Sequence, residues 1–424
     1  MKKTFLSISL CMSLLLSACG GEKNISQGEV PVINVETAIQ NQQELLLTDL
    51  GEKITYIPLE TTEESLIKLN SGSKMIVTDQ YIFIGEDQSP ILCFDRSTGK
   101  FLRTIGSLGQ GPGEYRNPSE MEVDAEAKRI YIRVAPSHYL CYDFEGEFLH
   151  TLTLPGERTF MMGAHYFADN MAYGYGNILT AGATNQAYSY RLPKGICTDS
   201  LTLTEPASKK SKGVARIRGT EAYGGSFFMV EHEDGTWTAG NRMNGTYQSV
   251  NGKLYHKDLF CDTLFQMKDL HREKAIAAFH MGSYGGYERY ETVKNMEGKY
   301  LLPRVLHDGE RIYFTLFTGM YDMQSLTKKL QTKSVRPGCG IYNLRTGEVK
   351  VQKDYMYFKH PEEGMPKACV YTLSTDGQWV AVYQAEKLVE ARENIPSDQQ
   401  PEWLKNLKED DNPVIMMIKG SSSL

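Results

Sequence analysis

Five residues from two stretches of the chain have the chemistry to hold or act on a polar ligand. Glu114, Tyr115 and Arg116 close the glycine-rich run Ile105-Gly106-Ser107-Leu108-Gly109-Gln110-Gly111-Pro112-Gly113, while Arg133 and His138 flank a short loop further on. A pair of guanidinium groups can grip a carboxylate or sulfate through parallel N–H donors. His138 is suited to serve as a base near neutral pH. As isolated loop residues the five would simply be solvated surface groups. They form a site only if the fold carries both loops to one surface. A glycine run can also cradle phosphate, but that chemistry needs a helix N-terminus after the loop. Here a strand follows and no GKS or GKT occurs. The run therefore reads as a sharp turn whose glycines supply positive φ.

Other chemistries find little support. The nine histidines show neither HxH nor HExxH spacing, and no DxDxDG or GxSxG pattern occurs. His232-Glu233-Asp234 runs into Gly235 and reads as a hairpin turn. Cys93, Cys141, Cys197, Cys261, Cys339 and Cys369 are far apart without a CxxC pair, which argues against zinc. Cys93 and Cys141 read as small buried strand residues. No metal and no cofactor are implied. Tyr166, Tyr173, Tyr175, Tyr188 and Tyr190 cluster in one stretch, and Tyr284, Tyr287 and Tyr290 in another. Exposed, they could stack on sugar rings; in strands, they pack on pleated surfaces.

A different chemistry sits at the N-terminus. Lys2 and Lys3 precede an apolar stretch at 5–16, and Leu16-Ser17-Ala18-Cys19 follows. The stretch is too short for a finished membrane span, and small residues lead to the cut, as in a secretory signal peptide. The cleavage residue is a cysteine, in a pattern that looks like a bacterial lipobox. Cys19 is thus expected to become the mature N-terminus and to carry lipid, the chain's tie to the membrane. No Asp follows it, which favours an outer-membrane destination in the cell envelope.

The body of the chain has the composition of a folded, mildly acidic protein, with 41% hydrophobic residues and a net charge of −6. Without basic blocks it is not expected to bind nucleic acid. After residue 19 no run reaches the roughly 18 apolar residues of a membrane helix.

Short strands must position the five candidate residues. Ile54-Thr55-Tyr56-Ile57-Pro58-Leu59 alternates with period two. Met75-Ile76-Val77 and Tyr81-Ile82-Phe83-Ile84-Gly85 form a hairpin, then Ile91-Leu92-Cys93-Phe94-Asp95 and the strand from Phe101 to Ile105 follow. The pattern recurs: ILCFDRSTGKFLRTI aligns with YLCYDFEGEFLHTL at an offset of 48 residues, Ile91 to Tyr139. Four short strands per repeat of this length are the content of a propeller blade. A blade cannot bury its faces alone, and closing the ring removes the open ends. Further strand pairs follow at 253–265, 311–315, 340–349 and 371–383. A helical stretch begins at Ala385, and Pro413-Val414-Ile415-Met416-Met417-Ile418 forms a last apolar strand. The strand near 54–59 is expected to pair with it and complete the last blade.

The Gly106–Tyr115 run with Pro118 and Asp124 resembles the NHL-type repeat. Taken with the 54–61 opening and the Asp411-Asn412-Pro413-Val414 ending, the chain resembles the six-bladed β-propeller lipoproteins of Bacteroides-like bacteria over about 50–420. That resemblance implies a six-bladed propeller on an exported, lipid-anchored chain and carries over no catalytic residue. Six blades over this length need insertions, expected within 160–250. The expected organisation is a signal peptide at 1–18, a lipidated N-terminus and tether at 19–49, and an all-β propeller at 50–424. Its four-stranded antiparallel blades close through N- and C-terminal strands. The expected role is a binding module for a glycan, peptide or partner protein, with Glu114, Tyr115, Arg116, Arg133 and His138 near the channel mouth. The alternative is a hydrolase or lyase with a polar site in the channel.

Overall fold

The computed structural model describes residues 30–69, 73–135, 137–155, 164–176, 186–202, 211–217, 227–235, 237–241, 245–258, 261–285, 298–318, 337–353 and 355–420. Ile82, Phe83 and Ile84 of the strand Tyr81–Gly85 and Ile91, Cys93 and Phe94 of the strand Ile91–Asp95 are completely buried. A sheet that is apolar on both faces needs a neighbour on each side. Six antiparallel sheets arranged as a six-bladed β-propeller meet that need.

The first blade runs Lys74–Val77, Tyr81–Gly85, Ile91–Asp95 and Phe101–Ile105; the second runs Met121–Asp124, Arg129–Ala135, His138–Asp143 and Phe148–Thr153. The third holds Ala164–Ala168, Met171–Gly176, Gln186–Arg191 and Ile196–Thr202, and the fourth Gly245–Val250, Lys253–Asp258, Thr263–Lys268 and His271–His280. The fifth is built on Val305–His307, Arg311–Thr318, Gly338–Asn343 and Val349–Gln352. The sixth orders Lys53–Pro58, Val414–Lys419, Trp379–Tyr383, Ala368–Leu373 and Tyr357–Phe358.

The ring is visible in its cores, each shared by two blades. Phe83, Cys93 and Ile105 meet Ile130, Leu140 and Tyr142 between the first and second blades. Tyr131, Cys141 and Leu152 meet Phe167, Ala172 and Tyr190 between the second and third. Tyr173 and Ala187 meet Tyr247 and Leu254, so the third blade packs directly on the fourth. Further cores join fourth to fifth, fifth to sixth and sixth to first. The small sheet Ser211–Ile217, Phe227–His232, Trp237–Asn241 lies between the third and fourth blades in sequence but not in the ring. It is an insertion, inside the interval where the sequence demands one. His232 ends a strand before a turn at Gly235, which has φ +77°.

Closure follows the expected pairing. Lys53–Pro58 runs antiparallel to Val414–Lys419, with Lys53 opposite Lys419 and Pro58 opposite Val414. Val414, Ile415, Met416 and Ile418 are fully buried, each stabilising the fold by roughly 1.5–3 kcal/mol.

The segment read from sequence as a tether differs in part. Val32–Asn34 adds a parallel strand to the fourth blade at His271–His280. The helix Val35–Gln40 follows, its first turn capped by Asn34 Oδ1 accepting from Thr37 N at 3.0 Å. Ile33, Val35 and Ile39 enter the core between the fourth and fifth blades, and Leu45, Leu47 and Leu50 that between the fifth and sixth. Residues 32–50 thus strap three blades before supplying the closing strand. The reason is the spacing of their apolar side chains, which a free tether would leave in water.

Candidate ligand-binding face

The first strands of the blades lie nearest the axis, and polar groups cross between them. Lys74 Nζ meets Glu122 Oε1 at 2.7 Å from first to second blade. The Tyr166 hydroxyl bonds Ser249 from third to fourth. Gln248 and the backbone of His307 exchange bonds of 2.6 and 3.0 Å from fourth to fifth. The Arg304 guanidinium donates to the carbonyls of Val370 and Tyr371 from fifth to sixth. Tyr371 Oη donates to Ser73 O at 3.1 Å from sixth to first. At the second–third seam Asn170 N donates to Asp124 Oδ2 at 2.8 Å. Buried polar groups must find partners, and here those partners belong to the next blade.

One end of the ring is sealed. The turn between Ala368–Leu373 and Trp379–Tyr383 reaches across the axis: Thr375 N donates to Val77 O at 2.9 Å, and Asn251 N donates to Thr375 O at 2.8 Å. Val77 belongs to the first blade and Asn251 to the fourth, opposite sides of a six-membered ring. A residue bonded to both sits over the axis. Asp376 beside it receives a bidentate grip from Arg96, at 2.8 and 3.1 Å. Trp379, completely buried, donates Nε1 to Asp308 Oδ2 at 2.7 Å. Gly377 turns the chain with φ +84°, a conformation that disfavours other residues.

The opposite end carries the five residues expected from sequence, and the two loops do come together. Arg133 Nη1 stands 3.3 Å from Glu120 Oε2, joining the loop after Arg129–Ala135 to the connection 106–120. The glycine run is a turn: Gly106 and Gly113 have φ +63° and +75°. Glu114 folds back into it, accepting from Gly111 N at 2.7 Å, and a Cβ at Gly109 would collide with its carboxylate.

Tyr115 corrects the sequence expectation. It is 1% exposed, accepts from Ile91 N at 2.9 Å and donates to Ile105 O. Burial pushes its phenol well above the ordinary range. Its ring points inward, packed against Tyr142, so it supports the face from beneath. Arg116 and His138 are exposed, and Arg133 is half-buried. Cys19 lies outside the described residues, as do Tyr287 and Tyr290. Of the tyrosines weighed as a sugar platform, Tyr173 and Tyr190 are buried between blades.

Sequence reasoning missed Glu86, 6% exposed at the same end. Its carboxylate accepts from Lys68 N at 3.0 Å and Ser73 Oγ at 3.3 Å. Burial raises its pKa, and the bonds from Lys68 and Ser73 offset only part of that. The signal was a charged residue directly after the fully apolar strand Tyr81–Gly85. It also missed Glu120, Glu122 and Lys74, which stand at the blade entries. Among the described residues no group of three or more His, Cys, Asp or Glu is placed to hold a metal.

A family profile described as a domain of unknown function (DUF4934) matches residues 30–419. No curated protein matches the chain. Among solved structures, a protein of Bacteroides fragilis described as a candidate exported protein is similar, with a TM-score of 0.56 and 15% identity over 87% of this chain and 95% of that one. A DUF4221 family member from Bacteroides vulgatus gives a TM-score of 0.48 and 12% identity, over 89% of this chain and 98% of that one.

Proposed function

The chain belongs to the DUF4934 family, and we propose that it is an exported, lipid-anchored propeller that binds a glycan, peptide or partner protein on the face bearing Arg116, Arg133 and His138. The observation that carries this reading is the seal at the other end. With Thr375 bonded to opposite blades, a ligand using the axis approaches from the 106–138 side. The polar pairs across the seams support binding over bond cleavage, because Lys74, Glu122 and Arg304 already join blade to blade. Arg116 and His138 project from a frame held by Tyr115 and by the Arg133–Glu120 pair, and loops on a rigid scaffold are the usual place for recognition.

The anchor follows from the lipobox-like ending at Cys19 and a polar stretch before the first strand. The candidate exported protein of Bacteroides fragilis accords with an envelope address. Two experiments test the proposal. Cys19→Ser is expected to release the chain from the outer-membrane fraction; retention there would sink the anchor. Thermal-shift screening of the full chain against glycans and peptides is expected to yield a stabilising ligand, since binding the folded state raises stability by mass action. Its effect should vanish in the Arg116→Ala/His138→Ala variant. Stabilisation undiminished by that pair would remove the site from this face.

A further inference from the structure

Two neighbouring seams, away from the face proposed above, share one plan. In the first blade, Phe83, Cys93 and Arg103 lie opposite one another on successive strands. In the second, Tyr131, Cys141 and His150 occupy the same row. Arg103 and His150 are therefore equivalent, each at the rim of a seam. Tyr81 and Arg129, both opposite the aspartate that ends the third strand, are equivalent too.

The two rims are finished differently. Arg103 lies over the Tyr81 ring, 5.7 Å from its centroid, and forms an ion pair with Glu145 from the turn of the next blade. Glu145 immediately precedes Gly146, whose φ is +91°. At the next seam the corresponding turn reads Leu192-Pro193-Lys194-Gly195, and Lys194 precedes the left-handed Gly195. Arg129 replaces the neutral Tyr81. Where the first seam sets Arg103 against Glu145, this one brings Arg129 and His150 to one cleft with Lys194, not an acid, at the turn position, and Asp143 opposite Arg129 in register.

A cleft of about 490 Å³ opens there, lined by Arg129, Tyr131, Leu149, His150, Asn170, Leu192 and Pro193, a size suited to a small ligand. His150 Nε2 is buried and has no hydrogen-bond partner among the described residues. Such an orphan carries a desolvation cost that a ligand could relieve. Among the described residues Arg129 Nη1 donates to the carbonyl of Lys128, at 2.9 Å. The nearby buried carboxylate, Asp124, already accepts from Ala127 N and Asn170 N. Tyr131, Leu149, Leu192 and Pro193 supply an apolar wall.

We propose that the cleft between the second and third blades binds a ligand carrying a carboxylate on a short apolar body. The carboxylate takes the place that Glu145 fills at the preceding seam, held by Arg129 and His150, and the apolar body lies against Leu149, Leu192 and Pro193. A fatty acid and a peptide C-terminus share this chemistry. Calorimetric titration of the full chain with hexanoate and with an acetylated dipeptide ending in free leucine, each beside its primary amide, separates the two sources. At least one acid is expected to bind, about tenfold or more tighter than its amide. Arg129→Gln and His150→Gln should each erase that preference, and Arg103→Gln should leave it intact. Lys194→Glu should block binding by restoring an internal carboxylate. Equal affinity of acid and amide, no binding by either acid, or unchanged affinity in Arg129→Gln would overturn the proposal. None of these results depends on Arg116 or His138, so this site and the channel-mouth face fail separately.

Discussion

The two ends of the ring use carboxylates in opposite ways. At the sealed end, Asp376 meets Arg96, Ser374 and Gln378, and its acidity increases: burial works against the charge, but the Arg96 and hydroxyl bonds outweigh it. At the mouth end, Glu86 is buried beside backbone and hydroxyl donors, and burial wins, leaving a weaker acid than usual. At the sealed end a charged pair joins the sixth blade to the first, beside a turn whose backbone also reaches the fourth; at the mouth Arg116 and His138 are exposed. The same residue type thus carries its charge readily at one end and reluctantly at the other. What separates Asp376 from Glu86 is the kind of partner: a guanidinium for one, a backbone N–H and a hydroxyl for the other.

The comparison is broken most severely at the sealed end. Trp379→Ala removes the largest fully buried side chain and strands Asp308 without its Nε1 donor, an expected loss of about 3–5 kcal/mol. Urea unfolding should show it, and a loss below about 1 kcal/mol would mean that the seal does not hold the ring. Arg96→Ala comes next. Arg96 is nearly buried but Asp376 is 34% exposed, so solvent offsets part of the lost attraction and the expected cost is about 2 kcal/mol.

The pH response sharpens the contrast, because the two acids carry opposite signs. Asp376, depressed in the fold, stabilises above the ordinary Asp value of about 4, and this contribution fades as pH falls through the folded value. Glu86, raised in the fold, contributes fully below the ordinary Glu value. That contribution is lost as pH rises through the folded value. Asp376→Asn is therefore expected to lower the melting temperature at pH ~7 and to flatten its decline in acid. Glu86→Gln keeps an acceptor for Lys68 N and can offer its amide to Ser73 Oγ. It is expected to raise the melting temperature at pH ~7, by an amount that shrinks toward pH ~4. Shifts of the same sign in both variants would show that the ends do not differ electrostatically.

Much of the fold was legible because its signals are local. The 48-residue offset, the apolar run at Val414–Lys419 and the alternation of Lys53–Pro58 each specify a strand and a face. The left-handed glycines of the 106–113 turn were equally plain. Apart from the closing strand pair, contacts between residues far apart in sequence were not. Nothing near Thr375 announces a bond to Val77, and Arg96 gives no sign of Asp376, because each pairing exists only once the ring has closed. Tyr115 was misjudged for a related reason: its loop was visible, but the inward direction of a two-residue strand depends on the neighbouring Tyr142, which it meets edge-on at 6.2 Å. The strap at 32–50 was only half legible, since a three-residue strand followed by a short helix leaves little periodic signal.

The smallest expected effect is the most informative about the mouth. Arg116 and His138 are exposed, and substitution of exposed residues away from caps and cores is usually within about 0.5 kcal/mol of neutral. Arg116→Ala and His138→Ala are accordingly expected to leave the melting curve nearly unchanged, in contrast to Arg96→Ala. Arg133→Ala lies between them: its side chain is as buried as that of Arg96, but it stands 3.3 Å from Glu120 where Arg96 grips Asp376 at 2.8 and 3.1 Å. If stability is preserved while a ligand's thermal shift disappears, the mouth residues serve recognition and the sealed end serves the frame. If Arg116→Ala instead destabilises the ring as Arg96→Ala does, the mouth is cross-linked like the seal, and the distinction between the two ends collapses.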